Sequence, residues 1–249
     1  MPCLSILVLG EDSGKDAPKM LRKLVGTMLR LVEPQVQTQR VRFSPVDPEA
    51  QAALRSNTWK STKQRDRVHK VRLFRTVARK LAEQDGFVFW HVDGDTAWSQ
   101  RVKSENYKKF ESLARQGVRG ALQSPVRGPV PNEVQVIRQI KRLICIMPFY
   151  SIEAWLFQNT DVVRRLCRKY YQDRGLEQVL EWENQRSLLD EIIKIKKQSG
   201  LPFADKHNLE LSIGFPGEVV EDVGTSFQAV VNELRNCKEL VAALELTTK

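Results

Sequence analysis

The stretch Gly86-Phe87-Val88-Phe89-Trp90-His91-Val92-Asp93-Gly94-Asp95 decides how the chain is read. It is a short run of apolar and aromatic residues, opened by a glycine and closed by an acidic turn. A continuous apolar run of this length, bounded by turn residues, predicts a buried strand. Working outward, Leu4–Leu9 (LSILVL) is a second such run, closed by Gly10 and followed by the polar turn EDSGKDA. Pro18 stands where a first helical turn tolerates proline. Met20, Leu21, Leu24, Val25, Met28 and Leu29 then mark one face of a helix ending near Glu33-Pro34. Val41–Phe43 predicts another strand, a basic amphipathic segment follows, and Leu143–Met147 (LICIM) predicts a fourth strand.

Strands and helices alternating at these intervals predict an α/β fold. Its sheet is mostly parallel and flanked by helices, with functional loops at the carboxyl ends of the strands. Residues 116–132 (QGVRGALQSPVRGPVPN) are rich in Gly and Pro and lack a period, so they predict a loop. The α/β domain is expected to span residues 1–158, with a largely helical C-terminal region, 159–249, packed on it. The last helix is expected to start at a capping box of Thr225 and Gln228. It carries Phe227, Val230, Val231, Leu234, Leu240, Val241 and Leu244 at helical spacing. No internal repeat is visible.

The chain has 249 residues, 41% of them hydrophobic, which supports a sizeable core and excludes wholesale disorder. Its four cysteines, Cys3, Cys145, Cys167 and Cys237, form no CxxC pair, so zinc ribbons and thioredoxin-type motifs are unsupported and free thiols are expected. No apolar stretch approaches the roughly 18 residues of a membrane span. The first residues also lack a basic n-region and a cleavage site, so a cytoplasmic, non-membrane protein is expected.

The net charge of +10 is concentrated. Arg55–Lys80, RSNTWKSTKQRDRVHKVRLFRTVARK, holds ten Lys/Arg against one acid, Asp66, which leaves about +1 for the rest of the chain. Val68, Val71, Phe74, Val77 and Leu81 recur at helical spacing, with Arg65, Arg72 and Arg79 elsewhere on the wheel. A solvated helix face is ordinarily laced with i,i+4 ion pairs, and this one lacks the acids for them. A nucleic-acid or acidic-protein partner is therefore expected, with Arg65, Arg67, Lys70, Arg72, Arg75, Arg79 and Lys80 as the contact residues. Trp59 and His69 are open to two readings, base stacking or packing.

Gly10-Glu11-Asp12-Ser13-Gly14-Lys15 imitates a phosphate loop but has three residues between its glycines where four are needed, and Asp16 replaces the metal-binding hydroxyl. What remains is two acids just past a strand. Asp93 and Asp95 also follow a strand, and in an extended backbone residues i and i+2 point to the same side. If the two strands are neighbours, Glu11 or Asp12 joins Asp93 and Asp95 at one sheet edge, a donor set suited to Mg2+ or Mn2+ and to phosphodiester chemistry. Taken singly, each pair also fits ordinary turn chemistry. His69, His91 and His207 have no ligand spacing; His91, within a strand, reads as a hydrogen-bonded core residue. Lys206-His207, in the turn after Asp205, would add positive charge to the acids only if the fold brings that turn to them, and ordinary turn placement is the reading it favours.

An acid after the first strand, then a helix, then Asp-x-Asp after a later strand resembles the TOPRIM fold, the catalytic domain of topoisomerases, primases and OLD-family nucleases. Ser151-Ile152-Glu153-Ala154-Trp155-Leu156 is similar to the Glu-Ala-Trp-Leu signature of TOPRIM-like proteins often encoded beside an ABC-type ATPase in bacterial defence loci. The resemblance covers residues 4–100 and 151–156. It implies a Mg2+-dependent nuclease, the effector of an antiphage system, in a hetero-oligomer with an ABC/SMC-like ATPase. It further implies Glu11 as general acid/base or ligand, Asp93 and Asp95 as ligands, and Glu153 as a further ligand or supporting acid. The family's first motif places glutamate directly before glycine, whereas this chain has Gly10-Glu11. That reversal favours a rival reading, a non-catalytic scaffold that binds nucleic acid or an acidic protein; a phosphohydrolase of small phosphate esters is a third.

Overall fold

The computed structural model describes residues 4–11, 14–55, 58–61, 63–126, 128–192, 205–223 and 225–248. Strands β1 (Leu4–Gly10), β2 (Val41–Ser44), β3 (Gly86–His91) and β4 (Leu143–Ile146) form one sheet in the order β2-β1-β3-β4. All three pairings are parallel. The fold is therefore α/β with helices on both faces, and the C-terminal part is helical, as expected from the sequence.

Alternation along the strands sorts the core into two layers. Leu4, Ile6, Val8, Phe87, Phe89, Ile144 and Ile146 face helix α1 (Ala17–Val32) and the C-terminal helices. Leu7, Leu9, Val88, Trp90, Leu143 and Cys145 face the opposite layer, which holds α2 (Pro48–Arg55), α3 (Arg67–Ala82), α4 (Glu105–Lys109), a π-helical turn at Phe110–Arg115, α5 (Gln116–Gln123) and α6 (Glu133–Ile140). Each strand residue so enclosed contributes roughly 1.5–3 kcal/mol of apolar burial if it is a Leu, Ile or Phe. Helix α1 ends where expected because Glu33 precedes Pro34. A proline excludes the helical conformation for the residue before it, and Glu33 is extended (φ −136°, ψ 96°).

The structure departs from the sequence reading in five places. First, α2 was not expected; it lies between β2 and α3 and buries Ala50, Ala53 and Leu54. Second, residues 116–123 are helical, not loop. Gly117 is there for packing: a Cβ would stand 2.3 Å from the Phe74 ring, so glycine lets α5 lie directly on α3. Third, the apolar stripe of α3 begins at Leu73, since Val68 is 73% and Val71 36% exposed. Fourth, the last helix is two, α12 (Ser226–Asn236) and α13 (Lys238–Thr248), broken at Cys237, which is extended.

Fifth, Thr225 makes no side-chain cap at the start of α12. The Ser226 amide donates instead to Asp190 Oδ2 at 2.8 Å, a buried carboxylate at the end of the Arg186–Asp190 turn. The cap thus comes from 36 residues upstream. Cys145 and Cys167 are buried free thiols and Cys237 is a partly exposed one.

The C-terminal helices α7 (Glu153–Leu156), α8 (Thr160–Tyr171), α9 (Leu176–Asn184), α10 (Asn208–Ser212) and α11 (Gly217–Glu221), with α12 and α13, complete the α1 layer. Trp155, Phe157, Leu166, Trp182, Phe227 and Leu234 belong to the same apolar cluster as β1 and α1. No helix among the described residues is long and apolar enough to cross a membrane.

Candidate functional site

The order β2-β1-β3-β4 reverses direction between β1 and β3, and the cleft at such a reversal is where open parallel sheets bind ligands. Gly10 is the register partner of His91, so the residues leaving β1 and β3 emerge side by side. This brings Glu11 to the Asp93-Gly94-Asp95 turn. A Cβ at Gly10 would lie 2.4 Å from Leu21 Cδ1, so glycine there lets α1 pack close against the end of β1.

The acidic turn is clamped from both sides. The Gly94 amide donates to Pro148 O at 2.9 Å and the Asp95 amide to Tyr150 O at 3.1 Å, which ties the turn to the loop after β4. A Cβ at Gly94 would stand 2.7 Å from the Phe149 ring, so only glycine fits. From the other side Ser104 Oγ donates to Gly94 O at 2.8 Å. Asn106 Nδ2 donates to Asp93 O at 2.8 Å and to Asp95 Oδ2 at 2.5 Å. Asp95 takes the left-handed conformation (φ 52°), which aspartate tolerates better than most side chains.

Each carboxylate has distinct partners. Asp93 Oδ1 accepts the Ile152 amide at 3.1 Å and lies 3.2 Å from His91 Nε2. Glu11 Oε1 accepts the Trp59 indole N–H at 3.1 Å, and Lys60 Nζ stands 2.9 Å from Oε1 and 3.2 Å from Oε2. Burial pushes the Glu11 carboxyl up; Lys60 opposes this and Asp93 adds to it. Burial, then the charge of Asp93, likewise pushes Asp95 up. The Tyr150 phenol is raised by burial, then by Asp95 and Asp93. Glu11, Asp93 and Asp95 therefore share one electrostatic neighbourhood, as expected from the sequence.

That neighbourhood fits a hard divalent cation in part. Asp93 Oδ2 and Asp95 Oδ1 carry no hydrogen bond among the described residues. Oxygen donors held apart from internal partners and crowded by like charge suit Mg2+ or Mn2+. Glu11 is already paired with Lys60, and no three His, Cys, Asp or Glu among the described residues are grouped to hold a metal. Asp12 lies outside the described residues. Glu153 is buried, with its oxygens committed to Ser151 Oγ at 2.7 Å and Asn208 Nδ2 at 2.9 Å. Its neighbours explain the Ile-Glu-Ala-Trp-Leu motif structurally: Ile152 holds Asp93, and the Trp155 indole donates to Ser226 Oγ at 2.6 Å.

The cationic segment is less free than its composition suggests. Arg67, Arg75 and Arg79 are exposed and have no acidic partner among the described residues, and Arg65 is exposed beside Asp66 at 3.9 Å. Arg72, in contrast, is paired with Asp47 at 3.3 Å and with Glu49, both at the start of α2. Lys70 Nζ donates to Ser61 O at 2.6 Å. Lys80 leaves the contact surface altogether. It is 5% exposed and its ammonium bonds Ser5 Oγ at 2.5 Å, Ser44 Oγ at 2.7 Å and Glu83 at 2.7 Å, because this position of α3 faces the sheet.

Trp59 is wholly buried and packs edge-on against Trp90 at 5.4 Å, which decides for packing over base stacking, whereas His69 is exposed. His207 bonds the Tyr171 hydroxyl at 2.7 Å and rests against the Tyr170 ring, so its contacts belong to α8. Sequence reasoning missed Lys60 as a partner of Glu11, although it stood within the basic run. It also missed Asn106 and Tyr150, which carried no signal. No family model, curated protein or solved structure matches the chain.

Proposed function

We propose that this protein is a Mg2+- or Mn2+-dependent phosphodiesterase that cuts or nicks nucleic acid. Its acidic centre is Asp93, Asp95 and Glu11, and Arg65, Arg67, Arg75 and Arg79 hold the phosphate backbone. The observation that carries the reading is the convergence of three carboxylates at the β1/β3 switch point, two of them pushed up by burial and by Asp93, with Asp93 Oδ2 and Asp95 Oδ1 unspent. A metal ion bound there would supply Lewis acidity at a phosphate oxygen and lower the pKa of water. The chain's own residues do the positioning. The Ile152 amide fixes one oxygen of Asp93 so that the other is presented, and Asn106 does the same for Asp95. Tyr150 and Lys60 supply proton-bearing groups beside them.

The resemblance to TOPRIM-like defence proteins supports an antiphage effector role beside an ABC/SMC-like ATPase, and that partnership is part of the proposal. The engagement of Glu11 by Lys60 favours the second reading, a non-catalytic scaffold that binds nucleic acid. Incubation of the purified protein with plasmid DNA and with structured RNA, in Mg2+, Mn2+ and EDTA, tests the first reading. Metal-dependent cutting that is lost in the Asp93→Ala/Asp95→Ala variant supports it. Cutting that is undiminished in that variant refutes it. Binding without cutting selects the scaffold.

A further inference from the structure

We infer that Lys60 is a tethered cation that occupies the divalent ion's place on Glu11 and yields it when nucleic-acid phosphate draws the ammonium away. This rests on the metal-site reading above and adds to it a coupling between substrate and metal. Three observations carry it. First, the Lys60 ammonium spans both oxygens of Glu11, at 2.9 and 3.2 Å, with each side chain only 14% exposed. Oε1 already accepts the Trp59 indole, and an ammonium across both oxygens repels a divalent ion, so ion and ammonium oppose one another there. Lys60 also acts on Asp95, whose raised carboxyl it partly offsets.

Second, the backbone that carries Lys60 is held in place. Trp59 is locked by its bond to Glu11 Oε1, by burial and by edge contact with Trp90, so the Thr58–Lys60 turn is fixed to the core. From that fixed backbone a lysine has four rotatable carbons to swing through, and the Trp59 ring, 5.1 Å from Nζ, gives the cation a second resting surface. Third, Lys60 belongs to the basic segment itself. The start of α3 lies beside it, since Lys70 Nζ donates to Ser61 O at 2.6 Å, so a phosphodiester backbone held by Arg67 would bring anions that compete with Glu11 for Lys60. Lysine is a compact point charge that exchanges one oxyanion for another without a fixed geometry. Pairing with phosphate would free Glu11 to join Asp93 and Asp95 at the moment substrate arrives.

The test is a Mn2+ titration of the purified protein, followed by electron paramagnetic resonance of free Mn2+. Lys60→Met should bind Mn2+ about tenfold more tightly than the parent protein in the absence of nucleic acid, the low end of the coupling between close charge pairs. Lys60→Arg, which keeps the cation, should stay close to the parent, and adding Glu11→Gln to Lys60→Met should erase the gain. A duplex DNA or RNA oligonucleotide with phosphorothioate linkages should tighten Mn2+ binding to the parent protein but not to Lys60→Met. By linkage, Mn2+ should tighten oligonucleotide binding to the parent protein by the same factor, a measurement that needs no variant. Equal Mn2+ affinity in the parent and a folded Lys60→Met variant, or no mutual effect of Mn2+ and oligonucleotide, overturns the role given to Lys60 and leaves the metal site standing. Absence of Mn2+ binding in every form overturns the metal site as well.

Discussion

Asp190 offers a prediction whose size can be worked out in advance. Its carboxylate is fully buried, caps α12 through the Ser226 amide, and has its pKa raised from 3.8 to about 6, chiefly by desolvation. A raised pKa means that the folded protein holds this proton more tightly than the unfolded chain. The contribution to stability is therefore complete below about pH 4 and falls as pH climbs from about 4 to about 6. At about 1.4 kcal/mol per pH unit, the ionised carboxylate costs about 3 kcal/mol at neutral pH. Asp190→Asn removes the charge and keeps an oxygen for the Ser226 amide. Its new N–H₂ falls beside Thr225, whose hydroxyl can accept from the amide as it can donate to the carboxylate. Exchanging a charged for a neutral acceptor gives back about 1 kcal/mol, so a net gain of about 2 kcal/mol is expected at pH 7. For a chain of this size that corresponds to about 5 °C in Tm. Urea and thermal melts of both proteins from about pH 4 to 7.5 should show curves that converge toward acid and separate toward neutral pH. A variant less stable than the parent at pH 7, or a difference that is flat with pH, would refute the reasoning.

Other predictions follow from the surface and the clamp. Arg67→Ala/Arg75→Ala/Arg79→Ala should lower the slope of log affinity against log salt by about 2.7 if each arginine meets one phosphate of duplex DNA, read by fluorescence anisotropy. Arg72→Ala should change that slope far less, since Arg72 is already paired with Asp47 and Glu49. Gly94→Ala should abolish any cleavage because its methyl group strikes Phe149 and Pro148 O and displaces the acidic turn; undiminished cleavage would remove the clamp from the account. Gly117→Ala should cost about 1–3 kcal/mol in urea denaturation through its clash with the Phe74 ring.

Legibility in the sequence depended on whether one element's pattern was enough. β1 and β3 could be read because strands buried on both faces leave unbroken apolar runs, and parallel neighbours then place Glu11 beside Asp93 and Asp95. Gly117 misled because the same residue serves a turn or a close helix contact, and only Phe74, 43 positions away, tells which. The cationic surface was overestimated for a similar reason. The acids that neutralise Arg72 come from α2, and the groups that bury Lys80 come from β1 and β2, none of which a window on α3 contains. Thr225 and Asp190 are the helix-cap version of this: the local capping residue yields to a distant carboxylate. Lys60 was visible as a charge, but its partner was a matter of tertiary placement.

The proposed function stands or falls on Asp93 as the anchor of a divalent-metal phosphodiesterase centre. The most direct measurement is plasmid nicking in Mg2+ and in EDTA by the parent protein and by Asp93→Asn, a substitution that keeps an acceptor for the Ile152 amide and so should leave the melting curve in place. Nicking by the parent protein is expected only with metal present, and none by the folded Asp93→Asn variant. Nicking that survives EDTA, or that persists in Asp93→Asn, would contradict it.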